Sequence, residues 1–224
     1  MGHGIGKSIR YYFDCLLDVL YGDKEGCILC DNPTEGLICE GCEKKINFSI
    51  VEGYIQRDNL KLKYYACSYY NALVKEMIIR LKYKSDFDCG RVLAHLMEKL
   101  LLAKKIDAEY ATFVPSDSLV LKKRGYNQSE FLCKQLCKSL DKTLIRCLSK
   151  QHITKDQIGL DGEGRWLNLK SSFRAINVNK IKGKKILLID DVITTGATAF
   201  YCGKALLENG CSEVTVLTVA KSAV

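Results

Sequence analysis

Apolar side chains recur along the chain at two different spacings, and each spacing predicts one kind of element. Four stretches repeat them every three or four positions, as amphipathic helices do. These stretches are 5–22, 72–105 with a break at 85–90, 129–140 and 197–209. Gly22 and Gly210 follow the first and the last of them and are predicted to end both helices.

Shorter apolar runs, rich in β-branched or aromatic residues, predict strands between these helices. They are 62–70 (one strand or two short ones), 110–114, 185–189 and 214–219, with one more expected near Phe173. The run that leads to Pro115 has the uninterrupted apolar character of a strand buried on both faces. Because strands and helices alternate, we predict an α/β fold with a mostly parallel, doubly wound sheet.

The composition is that of a globular protein, since 47% of the 224 residues are hydrophobic and 27% are charged. This length suits one α/β domain with a small appendage. No apolar run approaches the roughly 20 residues that span a bilayer, and the first residues lack the features of a secretory signal. We therefore predict a cytoplasmic protein without membrane insertion. The net charge of +8 agrees with an anionic partner, but also with a solvated lysine-rich surface.

The segment Ile186–Ala199 carries the pattern with the most specific chemistry. An apolar strand runs into Asp190 and Asp191, then into a turn of small and hydroxyl-bearing residues, and then into a helix. Ligands of open α/β sheets bind beyond the carboxyl ends of strands, and a helix N-terminus there can hold a phosphate. Gly196 would let the backbone approach the anion closely, and the two acids can accept hydrogen bonds from vicinal ribose hydroxyls. Two carboxylates beside a diphosphate also suit Mg²⁺.

Three threonines of this segment, Thr194, Thr195 and Thr198, can add hydroxyl donors to the same anion. The simpler interpretation is a strand-to-helix turn in which one Thr caps the helix and the acids favour its N-terminus. That interpretation explains one Thr and one Asp. It does not explain adjacent acids at the end of a buried strand followed by Thr-Thr-Gly-x-Thr, so we favour a phosphate-binding loop.

Twelve cysteines occur in the chain, and four of them form two C-x-x-C pairs, Cys27/Cys30 and Cys39/Cys42. Two such pairs complete a tetrahedron around Zn²⁺, and four ligands with no open position indicate a structural metal in a rubredoxin-like ribbon. The alternatives are four unrelated buried thiols, or a redox pair at the start of a helix in a βαβ unit. The scattered cysteines are predicted to be small core side chains. They are Cys15, Cys67, Cys89, Cys133, Cys137, Cys147, Cys202 and Cys211.

A basic and amide-rich cluster, Lys122–Ser129, follows the strand that leads to Pro115. Its cations could bind pyrophosphate or a nucleic-acid backbone, or the cluster could be a solvated turn in which Asn127 caps the next helix. A second stretch, 154–168, lacks strong periodicity and has the length of a lid or binding segment. It contains Trp166, for which stacking on a base and packing in the core are both open.

The segment Ile186–Thr198 resembles the thirteen-residue signature of the type I phosphoribosyltransferases at every position. The resemblance implies a type I phosphoribosyltransferase fold that binds phosphoribosyl pyrophosphate with Mg²⁺. It assigns the ribose hydroxyls to Asp190 and Asp191, as the catalytic acids, and the 5′-phosphate to the turn that follows. The residues implied to bind the ligand are Asp190, Asp191, Val192, Thr194, Thr195, Gly196, Ala197 and Thr198.

The order of motifs over nearly the whole chain resembles the ComF family, which are phosphoribosyltransferase-like proteins associated with DNA uptake in bacterial natural transformation. The motifs are the two cysteine pairs, Leu81–Lys84, Val114-Pro115, Arg124–Gln128, then Gln157, Arg165 and Asn168, and finally the phosphate loop. One departure concerns residues 22–26, where family members often carry Pro ahead of the first Cys. This departure affects the path of the chain into the cysteine cluster.

The family resemblance also implies two macromolecular partners, single-stranded DNA and a helicase encoded alongside. The cations expected to contact pyrophosphate or nucleic acid are Lys82, Lys123, Arg124 and Arg165. We therefore predict a helix and zinc ribbon over 1–55 and a phosphoribosyltransferase-like domain over 56–224. The predicted function is a competence protein that binds phosphoribosyl pyrophosphate, Mg²⁺ and single-stranded DNA. The alternatives are a metabolic phosphoribosyltransferase of nucleotide salvage and a non-catalytic sensor of the same ligand, so whether the protein is an enzyme stays open.

Overall fold

A computed structural model describes residues 26–151, 166 and 169–222 of the chain. The helix predicted at 5–22, Cys15, and the motif residues Gln157, Arg165 and Asn168 lie outside the described residues. The chain divides into two compact units with the boundary between Lys45 and Ile46. The boundary was predicted at 55/56. It falls earlier because Val51–Arg57 is a strand, β1, that pairs along its whole length with the next strand of the second unit.

The first unit, as far as it is described, is a pair of turns followed by a short helix. The N–H groups of Cys30 and Asp31 both donate to the carbonyl of Cys27, which closes a tight turn around the first cysteine pair. The N–H of Ile28 donates to the carbonyl of Leu37 at 2.9 Å and closes the ribbon that leads to the second pair. Helix α1 (Glu40–Ile46) begins directly after Cys39.

The second unit contains the remaining elements in an alternating order. After β1 come β2 (Leu60–Tyr69), α2 (Ala72–Lys84), α3 (Phe87–Lys104), β3 (Tyr110–Phe113), α4 (Ser118–Arg124), α5 (Gln128–Ser139), β4 (Thr143–Leu144), β5 (Leu148–Lys150), β6 (Phe173–Ala175), a 3₁₀ turn (Val178–Lys180), β7 (Lys185–Ile193), α6 (Ala197–Glu208) and β8 (Glu213–Lys221). Strand β1, helix α4 and the short strands β4 and β5 were not predicted.

Six strands form one sheet in the order β1-β2-β8-β7-β3-β4, and β5 pairs with β6 in a separate antiparallel pair. Within the large sheet only β1 runs antiparallel to its neighbour, β2. The predicted α/β class with a mostly parallel sheet is therefore confirmed. Chain order reverses between β3 and β7, because β3 continues outward to β4 whereas β7 continues to β8 on its other side. Such a switch point opens a crevice at the carboxyl ends of the two central strands.

Both faces of β7 are buried, which explains its uninterrupted apolar run. Ile186 and Leu188 belong to a core cluster that also contains Phe200 and Leu206 of α6. Their neighbours along the strand point to the opposite face and are equally buried, because successive side chains of a strand alternate between faces. The scattered thiols that are described contribute to these cores as predicted. They are Cys67, Cys89, Cys133, Cys137, Cys147, Cys202 and Cys211, all buried.

Polar caps set the starts of the helices that surround the site. The predicted break at 85–90 is the junction of α2 and α3, where Ser85 adopts a left-handed conformation with φ 52°. Asp86 then caps α3 by accepting from the N–H of Cys89 at 3.1 Å. Asn127 caps α5, as one of the two interpretations of the basic cluster predicted, by accepting from the N–H of Ser129 at 2.8 Å. No described helix combines the length and the apolar character needed to cross a bilayer.

Candidate functional site

The phosphate loop lies at the switch point of the sheet, where β7 ends and α6 begins. Strand β7 continues to Ile193, beyond the predicted end at 189, so both acids are within its last four residues. Asp190 is paired with Thr218 and Ile193 with Lys221 of β8. The loop after β3 meets this edge too, since the N–H of Val114 donates to the carbonyl of Ile189 at 3.0 Å. The turn after β7 therefore lies at the middle of the edge that the carboxyl ends of the parallel strands form.

Gly196 shapes the turn that joins the strand to the helix. It has a φ of 82°, a conformation that side chains with a Cβ rarely adopt, and it immediately precedes α6. A Cβ added at this position would meet the side chain of Ile55 in β1 at 3.0 Å. The glycine is thus required by the backbone conformation and by packing against β1, whereas the close approach of an anion stays a prediction.

The first backbone N–H groups of α6 have no acceptor within the helix, as at the start of any helix. The Thr195 hydroxyl accepts from the N–H of Ala197 at 3.4 Å, and Thr194 is exposed. A cleft with about 220 Å³ of empty space opens here. Its lining residues are Asp190, Val192, Ile193, Thr194, Gly196, Ala197, Thr198 and Ala199. Of the residues predicted to bind the ligand, this cleft brings together six.

Asp190 is buried and held in place by two hydrogen bonds to the same oxygen. Its Oδ1 accepts from the Ser129 hydroxyl at 2.9 Å and from the N–H of Asp191 at 2.9 Å. Burial and the neighbouring charge of Asp191 raise the pKa of Asp190 to about 7, although the hydrogen bond from Ser129 opposes this shift. Near neutral pH this carboxyl can therefore both donate and accept hydrogen bonds.

Asp191 forms an internal ion pair with Lys82, which comes from the last turn of α2. The Lys82 ammonium contacts Asp191 Oδ2, and Asp191 Oδ1 accepts from the N–H of Val192 at 2.9 Å. Burial opposes the charge of Lys82, but Asp191 outweighs this effect and raises the lysine pKa above its ordinary value. Lys82 was predicted to contact pyrophosphate or nucleic acid, and the structure places it directly on the acid pair.

Lys221 also belongs to this site and was missed from the sequence. It lies at the end of β8, and its Nζ donates to the carbonyl of Thr194 at 2.9 Å. Burial lowers its pKa. The strand was predicted to end at 219, and nothing in the sequence pairs Lys221 with the turn. Only the register between β7 and β8 brings the two together.

Two of the other predicted cations, Lys123 and Arg124, lie on a neighbouring surface that is formed by α4 and the end of α2. Arg124 donates to the side-chain oxygen of Gln128, and its guanidinium carbon lies 5.3 Å from the centre of the Tyr83 ring. Lys122 and Lys123 are exposed in the last turn of α4, a helix in which no residue is buried. The Tyr126 hydroxyl donates to the carbonyl of Leu81 and so fastens this cluster to α2.

Trp166 has a packing role in the structure rather than an open face for a base. Its ring packs edge-on against Phe200 at 5.2 Å and Tyr201 at 5.8 Å between ring centres. The guanidinium carbon of Arg57 lies 4.7 Å from the centre of the same ring. Of the two interpretations that the sequence left open, the structure favours packing.

The four cysteines of the first unit form one cluster. All four sulfur atoms lie within 4.8 Å of one another, and Cys30 and Cys39 are 3.6 Å apart. Tetrahedral zinc with Zn–S bonds of about 2.3 Å needs sulfurs roughly 3.8 Å apart, so the donor set fits such an ion. Burial opposes ionisation of Cys27, but backbone N–H groups of Cys39, Leu29 and Cys30 stabilise its thiolate and lower its pKa to about 6. The cluster can therefore hold a metal ion.

The second cysteine pair does lie at the start of a helix, as a redox pair would. However, no strand precedes α1 among the described residues, and the pair shares its sulfur cluster with the first pair. A redox pair needs no such partners, whereas a metal does. The metal interpretation is therefore favoured over the redox alternative.

Comparison with known proteins finds competence and DNA utilization proteins. Competence protein F of Haemophilus influenzae is 28% identical over 212 residues, which cover 83% of this chain and 90% of that protein. Competence protein ComFC of Bacillus subtilis is 27% identical over 200 residues, covering 88% of this chain and 78% of that protein. DNA utilization protein YhgH of Escherichia coli matches at 27% identity over 140 residues, and the chain spans 61% of its length.

Among solved structures, adenine phosphoribosyltransferase from Thermoanaerobacter pseudethanolicus aligns with 80% of this chain and 99% of that protein, with 12% identity and a TM-score of 0.41. No protein-family model matches the chain. The sequence relatives nevertheless agree with the resemblance that the order of motifs predicted: over most of its length the chain is similar to proteins named Competence protein F and Competence protein ComFC.

Proposed function

We propose that this protein binds phosphoribosyl pyrophosphate together with Mg²⁺ at the turn after β7, and that it acts as a cytoplasmic protein in the handling of incoming DNA. One observation carries the proposal. Two adjacent acids lie within the last four residues of the central buried strand, and a left-handed glycine turn and a helix N-terminus follow it at the switch point of the sheet. The names of the competence relatives support the biological part of the proposal.

Each part of the ligand has a matching group in the site. The 5′-phosphate suits the N–H groups and the positive dipole end of α6, with the Thr194 and Thr198 hydroxyls beside it. The ribose hydroxyls suit Asp190, which lines the same cleft, and the adjacent Asp191. Lys82 offers the charge for the diphosphate, since its ammonium is next to Asp191.

The residues present also fit a divalent cation. Asp191 Oδ2 already attracts a cation, because the Lys82 ammonium lies on it, and carboxylate oxygens are the ligands that Mg²⁺ takes in proteins. When bound, Mg²⁺ would neutralise charge on the diphosphate. Asp190 and Asp191 orient the sugar, and Ser129 holds Asp190 in its position through the hydrogen bond to Oδ1. In the first unit we propose that Cys27, Cys30, Cys39 and Cys42 hold structural zinc.

Calorimetric titration of the full-length protein with phosphoribosyl pyrophosphate tests this assignment. We expect saturable binding at one site per chain in the presence of Mg²⁺ and much weaker binding when Mg²⁺ is replaced by EDTA. Ribose 5-phosphate should bind more weakly, because it lacks the diphosphate that faces Lys82. If titration with phosphoribosyl pyrophosphate and Mg²⁺ gives no heat of binding, the proposed ligand assignment is wrong.

A second activity, binding of single-stranded DNA, is favoured by the surface beside the site. Tyr83 is 74% exposed, and Arg124 lies against its ring with Lys122 and Lys123 close by along α4. Proteins bind single strands by stacking bases on aromatic rings beside a basic track for the phosphates. We extend the proposal to this surface, and with it to a helicase as a partner in handling the strand.

Fluorescence anisotropy with a labelled oligothymidine measures this second activity. Tyr83→Ala should raise the Kd by about 5- to 150-fold, because stacking on one ring contributes roughly 1–3 kcal/mol. Tyr69→Ala is a matched control, since Tyr69 is 60% exposed but lies at the end of β2. The Kd should also rise steeply with salt, and the slope should fall when Lys122, Lys123 and Arg124 are replaced. A Kd that changes neither with salt concentration nor with the Tyr83 substitution would contradict the assignment of single-stranded DNA binding to this surface.

A further inference from the structure

Lys82 is held in a fixed position opposite the acid pair. Two contacts fasten the end of α2 from which it projects: the Tyr126 hydroxyl donates to the carbonyl of Leu81, and Arg80 forms an ion pair with Asp86 at 2.6 Å. The side chain of Lys82 is 24% exposed and that of Asp191 only 6%. The ion pair is therefore largely removed from solvent and its geometry is set by the surrounding structure.

The charge of this lysine lies against a carboxylate oxygen that would otherwise be available to a metal ion. Asp191 Oδ1 is already engaged by the N–H of Val192, and Oδ1 of Asp190 by Ser129 and a backbone N–H. Asp191 Oδ2 is buried, and it is the oxygen that contacts the ammonium. A free divalent cation approaching Asp191 must compete with a cation that belongs to the chain.

We propose that Lys82 is a built-in counter-ion that keeps free divalent cations off the acid pair, so that Mg²⁺ enters only in complex with a sugar diphosphate. The diphosphate brings its own negative charge, which gives the ammonium a new anionic partner and releases Asp191. The proposal rests on the function proposed above and adds an order of binding to it. Mg²⁺ alone leaves the site as it is, whereas the magnesium–diphosphate complex exchanges the partner of Lys82.

Titration with Mn²⁺ alone, in the absence of any sugar phosphate, tests the counter-ion directly. We expect weak Mn²⁺ binding to the wild type, detected by the loss of the free-ion signal in electron paramagnetic resonance. Lys82→Met should bind Mn²⁺ about tenfold or more tightly, because an opposite charge in contact shifts a carboxylate equilibrium by roughly one to three powers of ten. Lys84→Met is the matched control, since Lys84 is an exposed lysine in the same last turn of α2.

Two further variants keep the test decisive. The Lys82→Arg variant retains a cation and should bind Mn²⁺ as weakly as the wild type. This comparison can still be made if the Lys82→Met variant does not fold. Adding Asp190→Asn to Lys82→Met should remove the gained affinity, because one of the two acids is lost. Equal Mn²⁺ affinity in wild type and Lys82→Met, or tight Mn²⁺ binding by Lys82→Arg, would contradict the proposed role of Lys82 as a counter-ion.

The outcome is separable from that of the proposed function. If the wild type fails to bind phosphoribosyl pyrophosphate but Lys82→Met gains Mn²⁺ affinity, the counter-ion role of Lys82 is supported and the proposed ligand is wrong. If wild type binds the ligand with Mg²⁺ but Lys82→Met gains no Mn²⁺ affinity, only the role of Lys82 falls.

Discussion

Replacing both acids, as Asp190→Asn with Asp191→Asn, is expected to weaken the binding of phosphoribosyl pyrophosphate at least about a hundredfold. Each carboxylate would lose a charge-assisted hydrogen bond to a ribose hydroxyl, and such bonds contribute about 1.5–3 kcal/mol each. The neutral amides also interact more weakly with Mg²⁺, which prefers anionic oxygen ligands. Calorimetry under the conditions used for the wild type measures the loss. An affinity within threefold of wild type, roughly 0.7 kcal/mol, would contradict the assignment of the acids.

The single substitutions separate loss of binding from loss of structure. An Asn side chain at position 190 can still accept from Ser129 and from the N–H of residue 191, so the fold should survive. Asp191→Asn leaves Lys82 without its anion in a largely buried place, so this variant should unfold at lower temperature. Thermal unfolding followed by circular dichroism gives both results.

The pH dependence of Asp190→Asn has a defined sign. The pKa of Asp190 is raised to about 7 in the folded protein, mainly by burial. The carboxyl group therefore favours the folded state at a pH below its unfolded pKa of roughly 4, and this contribution is lost as pH rises toward 7. Replacement by the neutral amide should stabilise the protein more at pH 8 than at pH 4. This comparison belongs to the metal-free protein, where only the surrounding residues set the pKa.

The sequence predicted the central part of this site because its pattern is local. An uninterrupted apolar run, two acids, a glycine turn and a helix follow one another within Ile186–Ala199, and the structure has β7 and α6 there. The cysteine cluster was predictable for the same reason, since the spacing within each pair sets a turn. Even so, β7 continues to Ile193, because pairing with β8 extends it beyond the apolar run.

Contacts between distant segments were not predictable. The ion pair of Lys82 with Asp191 depends on how the end of α2 packs beside the sheet, and the bond from Lys221 to Thr194 depends on strand register. The sequence attributed Gly196 to an approaching anion, while the structure shows the side chain of Ile55 in β1 only 3.0 Å from the position of an added Cβ. The strand that supplies Ile55 was itself missed.

Weak periodicity explains the missed elements. Strand β1 lies at the edge of the sheet and buries only Val51 and Ile55, so its pattern shows no simple alternation. Helix α4 has no buried residue, which leaves no apolar face for the sequence to reveal. Its local signals are its two caps: Asp117 accepts from the N–H of Leu119 at 3.0 Å, and Gly125 ends the helix in a left-handed conformation.

Removal of one thiolate, as Cys27→Ser, should eliminate the bound zinc and unfold the cysteine ribbon. The ribbon buries few apolar side chains among its described residues, chiefly Ile28 beside the cysteines, so its core alone gives little stability. Structural zinc contributes about 10–16 kcal/mol in small zinc-finger peptides, so we expect the proposed zinc to be the main source of order in the ribbon. We expect zinc content to fall from one atom per chain to none, as measured by release to a colorimetric chelator. Amide exchange of residues 27–42 should become fast at the same time.

Cys137→Ser is the matched control for this prediction, because Cys137 is also a buried thiol but lies on α5, outside the cluster. It should keep one zinc atom and slow exchange in the ribbon, even if burial of the added hydroxyl lowers the unfolding temperature. The residues proposed to bind phosphoribosyl pyrophosphate all come after Ile46, so Cys27→Ser should retain that binding. A Cys27→Ser protein with a full complement of zinc would show that the metal is held elsewhere, because three thiolates without Cys27 leave the tetrahedron open.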